Sequence, residues 1–108
     1  MMDWAKELNC AVTVCDKQAN IIYMNDKSRA TFTGRGDLIG KNLKDCHKEA
    51  SWQKIQNLLD TGETNTYTID KQGVKKMIYQ TPWYSDGEIA GLVELSFVIP
   101  AEIPHFVR

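Results

Sequence analysis

The sequence predicts an α+β domain: one antiparallel sheet with short helices packed over one of its faces. Three observations carry that expectation. Two short apolar runs near the N-terminus are joined by an Asp-led turn. A stretch from Glu49 to Asp60 places Trp52, Ile55, Leu58 and Leu59 at helical spacing. After Gly62 the apolar period changes to two and stays there to Ile99.

Each element follows in order. Asp3–Leu8 reads as a short amphipathic helix, with Asp3 as N-cap and Trp4 and Leu8 four apart on one face. Ala11–Cys15 and Asn20–Met24 form a hairpin across Asp16-Lys17-Gln18-Ala19. Asn25 or Asp26 caps a helix running through Phe32 and closed by Thr33-Gly34. Gly36 to Leu43 is short and broken by glycine, so a single turn is expected there. Ser51 is a candidate cap for the next helix, and Gly62 stops it. Thr64–Asp70, Val74–Trp83 and Glu88–Ile99 are strands, separated by Lys71-Gln72-Gly73 and Ser85-Asp86-Gly87. In the last strand Gly91, Val93, Leu95 and Phe97 share a face. That set is the more apolar one, so it is expected to face the helices.

Composition excludes several classes. A chain of 108 residues that is 43% hydrophobic and 25% charged can bury one core and is not a disordered segment. No run approaches the ~20 apolar residues of a membrane span, and the N-terminus has no signal-peptide pattern, so a cytoplasmic location is expected. Nine Lys/Arg and seven Asp/Glu in residues 1–54, against four and seven in 55–108, leave no basic stripe for nucleic acid. Cys10, Cys15 and Cys46 are an odd number without CxxC spacing, which fits reduced thiols better than zinc or a disulfide.

Three phrases, in order and on the expected elements, resemble the PAS family of sensor domains. They are Asp16 followed by Ile21, Tyr23, Asn25, Phe32 and Gly34; Asp37-Leu38-Ile39-Gly40-Lys41-Asn42-Leu43; and Pro82, Asp86-Gly87 and Gly91. The segment Gly40–Gly62 is loosely similar to the PAS domains attached to hemerythrin-like DUF438 proteins. The resemblance implies a PAS domain over 11–100, preceded by a short helical cap over 1–10 and followed by a tail over 101–108. It implies a five-stranded antiparallel sheet in the order 2-1-5-4-3, with a ligand pocket under the helices. Met24, Phe32, Leu43, Ile55, Ile78, Val93 and Leu95 are the residues expected to look into that pocket.

The resemblance also bears on cofactors. Flavin-binding PAS light sensors use a reactive Cys where Leu43 stands here, so a flavin photosensor is not expected. Haem-binding members usually take an axial His from the long helix, which carries none here. His47 just before it, beside Cys46, is the one candidate iron ligand, and a haem-based gas or redox sensor is the alternative reading. His105 in the tail is read as a packing residue. No Ser/His/Asp set, HExxH, P-loop or GxGxxG occurs, and adjacent residues such as Cys46 and His47 normally point apart, so enzymatic activity is not expected.

The uncovered sheet face carries Met77 and Tyr79, more apolar surface than a monomer usually exposes. With Trp4 and Leu8 of the N-terminal segment they are the expected homodimer surface. Pro100 and Pro104 disfavour an output helix after the last strand. The sequence reading is therefore a dimeric PAS sensor acting on a signalling partner in trans, the other alternative being a ligand-free interaction module.

Overall fold

The computed structural model describes residues 2–32 and 37–108. Its strands are β1 (Ala11–Asp16), β2 (Ile21–Met24), β3 (Asn65–Lys71), β4 (Val74–Ser85) and β5 (Glu88–Val98). The helices are α1 (Asp26–Thr31) and α2 (Glu49–Thr61), with a single 3-10 turn at Leu43–Cys46. All five strands pair antiparallel in the order β2-β1-β5-β4-β3, as the resemblance implies.

The turns explain the topology. Gln72-Gly73 and Asp86-Gly87 both have positive φ at each residue (53° and 79°, 53° and 80°), the tight geometry whose twist suits a two-residue hairpin. Between β1 and β2, both Gln18 and Asn20 donate their backbone N–H to the Asp16 carboxylate. A bulge beside Cys15 lets Ile21 and Met24 both turn into the core although they are an odd three positions apart.

Asn25 holds the first third of the chain together. It is 1% exposed and uses its whole side-chain amide. Its Oδ1 accepts from the N–H of Val12 and, as N-cap of α1, from the N–H of Ser28. Its Nδ2 donates to the carbonyls of Ala5 and Cys10. Those contacts also explain a departure from expectation. Residues 3–8 form two successive turns, Lys6 N–H to Asp3 O and Leu8 N–H to Ala5 O, and no helix. The carbonyls that would build helical i to i+4 bonds are given to α1 instead: Ala5 O to Asn25, and Lys6 O to the N–H of Asp26.

Other boundaries shift as well. Thr33, Gly34 and Gly36, expected at the close of α1 and the start of the following turn, lie outside the described residues. The single turn falls at Leu43–Cys46 and is capped by Asn42, whose Oδ1 accepts from the N–H of Lys44. Helix α2 starts after Lys48 with no side-chain cap, so Ser51 lies inside it, while Gly62 ends it in the left-handed conformation as expected.

Helix α2 lies on the sheet through Ile55, Leu58 and Leu59, packed with Cys15, Ala19 and Leu92. Ile21, Met24 and Leu38 form a second cluster, with Phe32 and Leu43 against it. One expectation about β5 is reversed. Cross-strand pairs place Leu92 opposite Cys15, Glu94 opposite Thr13 and Gln80, and Ser96 opposite Ala11 and Ile78. This is the set beneath the helices. Gly91, Val93, Leu95 and Phe97 alternate with it and lie on the other face, beside Val14, Val12, Tyr79 and Met77. The more apolar face of β5 is thus the one the helices leave bare.

Gly91 answers to a close approach on that second face. The Trp83 indole crosses over it and donates its N–H to the Cys15 carbonyl at 2.9 Å, bridging from β4 to β1. A Cβ on Gly91 would land on that same carbonyl oxygen and on the indole nitrogen.

Candidate functional site

Between the sheet and the segments over it lies a cavity of about 110 Å³. Ile21, Phe32, Leu38, Leu43, Ile55 and Leu92 give it apolar walls. Its polar lining comes from mid-strand positions, Thr13 of β1, Gln80 of β4 and Glu94 of β5, and from Cys46 and His47 at the end of the 3-10 turn. His47, Ile55, Gln80 and Glu94 also border a wider cleft of about 340 Å³, whose other walls include Ser51 and Lys54 of α2 and Asn65 and Tyr67 of β3. A third space, about 100 Å³ beside α1, is bordered by Thr13, Ser28, Phe32, Ile78 and Glu94. Glu94 borders all three.

The polar residues form an ordered chain across the sheet. Asn65 Nδ2 donates to Gln80 Oε1 at 2.8 Å, and Gln80 Nε2 donates to Glu94 Oε1 at 2.9 Å. Antiparallel pairing of these three residues, side by side on neighbouring strands, sets that alignment. The hydroxyls of Thr13 and Ser28 pair with each other and tie β1 to α1. The His47 ring nitrogen Nδ1 lies 2.9 Å from the Leu43 carbonyl, where it can act only as donor. Burial pushes the Cys15 thiol up to about 11, against the lowering effect of a backbone hydrogen bond from Leu92. It also raises the thiol of Cys10.

The expected pocket residues divide three ways. Phe32, Leu43 and Ile55 line the central cavity, and Ile78 lines the one beside α1. Met24 lies in the apolar cluster with Ile21 and Leu38 and is not a cavity wall. Val93 and Leu95 are corrected to the opposite face of the sheet, because β5 turns Leu92 and Glu94 inward. Sequence reasoning missed Thr13, Cys15, Gln80, Leu92 and Glu94. One signal was present: Gln80 and Glu94 are polar residues in the middle of long strands, where a side chain turned into a core needs a partner.

Of the expected dimer residues, the two on the sheet lie on its bare face. Met77 and Tyr79 pair across β5 with Phe97 and Leu95, away from the helices. Tyr79 and Phe97 are more than a third exposed, as is Leu8, and Trp4 is 72% exposed.

A five-stranded antiparallel sheet in the order β2-β1-β5-β4-β3, with helices over one face and a cavity beneath them, is the PAS fold. No family model matches the chain, and neither does any curated protein. Among solved structures, the PAS domain of histidine kinase ThkA is similar at 18% identity and a TM-score of 0.68, over 83% of this chain and 99% of that domain. The Aer2 receptor from Vibrio cholerae, described as a dual PAS-heme oxygen sensor, matches at 20% identity and a TM-score of 0.62, covering 84% of this chain and 95% of that one. VqmA bound to DPO matches at 17% identity and a TM-score of 0.67, covering 89% of this chain and 54% of that one.

Haem can be tested against these walls. The enclosed cavity is well below the ~300 Å³ at which pockets for sizeable ligands begin. The wider cleft has Ala50, Ile55 and Tyr67 in its walls but is bordered more by Ser51, Lys54, Asn65, Gln80 and Glu94, where the faces of a macrocycle need apolar contact. His47 and Cys46 are suitable iron ligands, but the residues around them do not fit a haem.

Proposed function

We propose that this chain is a cytoplasmic PAS sensory module that takes a small ligand in the cavity under its helices. It pairs with a second copy through the bare sheet face and passes the bound state to a signalling protein in trans. The observation that carries this reading is the cavity itself: apolar on most sides, polar along one edge, and bordered by strands and helices together. Such a space, with a few polar groups set into apolar walls, is the usual form of a small-molecule site. At about 110 Å³ it suits a molecule of only a few heavy atoms. A solved PAS-fold neighbour is described as bound to the small molecule DPO, and the same protein from Vibrio cholerae as a dimer, which supports both halves of the reading.

Native mass spectrometry of the purified chain, followed by thermal-shift measurements across a panel of small metabolites, tests it. The expected result is a co-purified small mass or a stabilising compound, lost in Leu43→Trp, which fills the cavity from its rim. A chain with no bound mass and no stabilising compound is instead the ligand-free interaction module.

A further inference from the structure

Resting on the reading of this cavity as a ligand site, we propose that its ligand is a small organic cation, a protonated amine or amidine on a short apolar body, held by the carboxylate of Glu94. The geometry favours a cation over a neutral or anionic ligand. Glu94 is the one carboxylate bordering the central cavity, and it also borders the two spaces beside it. One of its oxygens, Oε1, accepts the Gln80 amide at 2.9 Å. Its Oε2 accepts no hydrogen bond among the described residues, and the only ion pairs among those residues are Lys6–Asp26 and Arg29–Asp37. Among the described residues, this half-buried carboxylate has open acceptor capacity and no ion-paired cation.

The rest of the polar edge supports that role. The chain from Asn65 through Gln80 runs donor to acceptor toward Glu94, so both amides are oriented to stabilise its negative charge. Its field is felt by neighbours on both sides: behind burial, the larger cause, it helps make the Cys15 thiol on β1 and the Tyr67 phenol on β3 harder to ionise. The cations nearby, Lys54 in the cleft and Lys71 and Lys76 beside α1, border the outer spaces and not the central one. The walls made by Phe32, Leu43 and Ile55 from the segments over the sheet, and by Leu92 next along β5 from Glu94, take apolar groups. A cationic head on Glu94 and a short hydrocarbon body against those four residues satisfies both halves of the site.

Isobutylamine, isobutanol and isobutyrate, matched in shape and different in charge, separate the possibilities. Each is titrated into the intact chain while the methyl resonances of Leu43, Ile55 and Leu92 are followed by NMR. The expected result is that the amine binds at least tenfold more tightly than the alcohol, the scale of one charge-assisted hydrogen bond, and that the carboxylate does not bind. In Glu94→Gln, which keeps an acceptor for Gln80, the amine should lose that advantage and the alcohol should not change. Equal or tighter binding of the alcohol or the carboxylate to the unaltered chain overturns the cationic ligand and leaves the ligand site standing. Failure of all three to move any cavity methyl overturns both.

Discussion

Single residues set most of the constraints on this fold, and Asn25 and Gly91 show two ways of doing so. Asn25 satisfies two N–H donors and two carbonyls from three separate segments. Asn25→Ala removes a helix cap and strands buried backbone groups, so urea unfolding should report a loss of about 3 kcal/mol or more. Asn25→Asp should recover only the half that accepts. Gly91 gives up a side chain so that Trp83 can reach Cys15. Gly91→Ala should cost at least about 2 kcal/mol in the same measurement, because the added methyl meets backbone that cannot step aside. A cap at this point was legible in the sequence, which offered Asn25 and Asp26 alike, and the structure gives the role to Asn25. Its hold on Ala5 and Cys10 was not, because nothing local to residues 3–10 announces a buried amide from elsewhere.

Cys15 belongs to the same scale. Burial raises its thiol to about 11, so the folded protein holds that proton more firmly than the unfolded chain does. Its contribution to stability is complete below pH 9 and is lost as pH rises through about 11. Unfolding midpoints measured from pH 8 to 11 should fall for the unaltered chain and fall less for Cys15→Ala. Iodoacetamide at pH 8 should reach Cys46 and Cys10, which are half-buried, well before Cys15.

At the scale of elements, β5 carries the lesson. Its alternation was evident from sequence, but its facing was not. The rule that the more apolar set turns toward the helices fails here for a physical reason: the inward set supplies polar groups to the cavity, while the outward set stays apolar. Leu92, Glu94 and Ser96 are therefore inward, and Val93, Leu95 and Phe97 outward. That reassignment strengthens one sequence-based expectation, since Leu95 and Phe97 join Met77 and Tyr79 in a contiguous apolar patch. Tyr79→Glu, placed in the middle of it, should convert a dimer to monomer in sedimentation velocity at micromolar concentration, and an unchanged dimer removes this face from the interface. Helix α2, by contrast, was read correctly in its buried face and its stop at Gly62, though it starts at Glu49, ahead of the expected cap Ser51. Leu58, fully buried, should cost about 3–5 kcal/mol when replaced by Ala.

At the scale of the whole molecule, strand number followed from turns and hydrophobic period, which are local properties, and strand order from the resemblance carried by three short phrases of sequence. The size and polar lining of the cavity did not follow. Its walls come from β1, β2, β4, β5 and the segments over them, and its size depends on how side chains from all of these meet. No helix among the described residues is long and apolar enough to cross a membrane.

The pairing of β1 with β5 has a bearing on how this protein comes to be. The centre of the sheet joins Ala11–Asp16 to residues some eighty positions later, from Gly91 to Ser96. On the ribosome, β1 and β2 can form their hairpin early, yet the strand that completes the sheet is the last of the five to be made. Until it emerges, the edge of β1 that β5 will cover stands unpaired, with its backbone donors and acceptors open to any passing strand. The same adjacency that gives the folded domain a closed centre makes the nascent chain a client for whatever shields exposed edges in the cell.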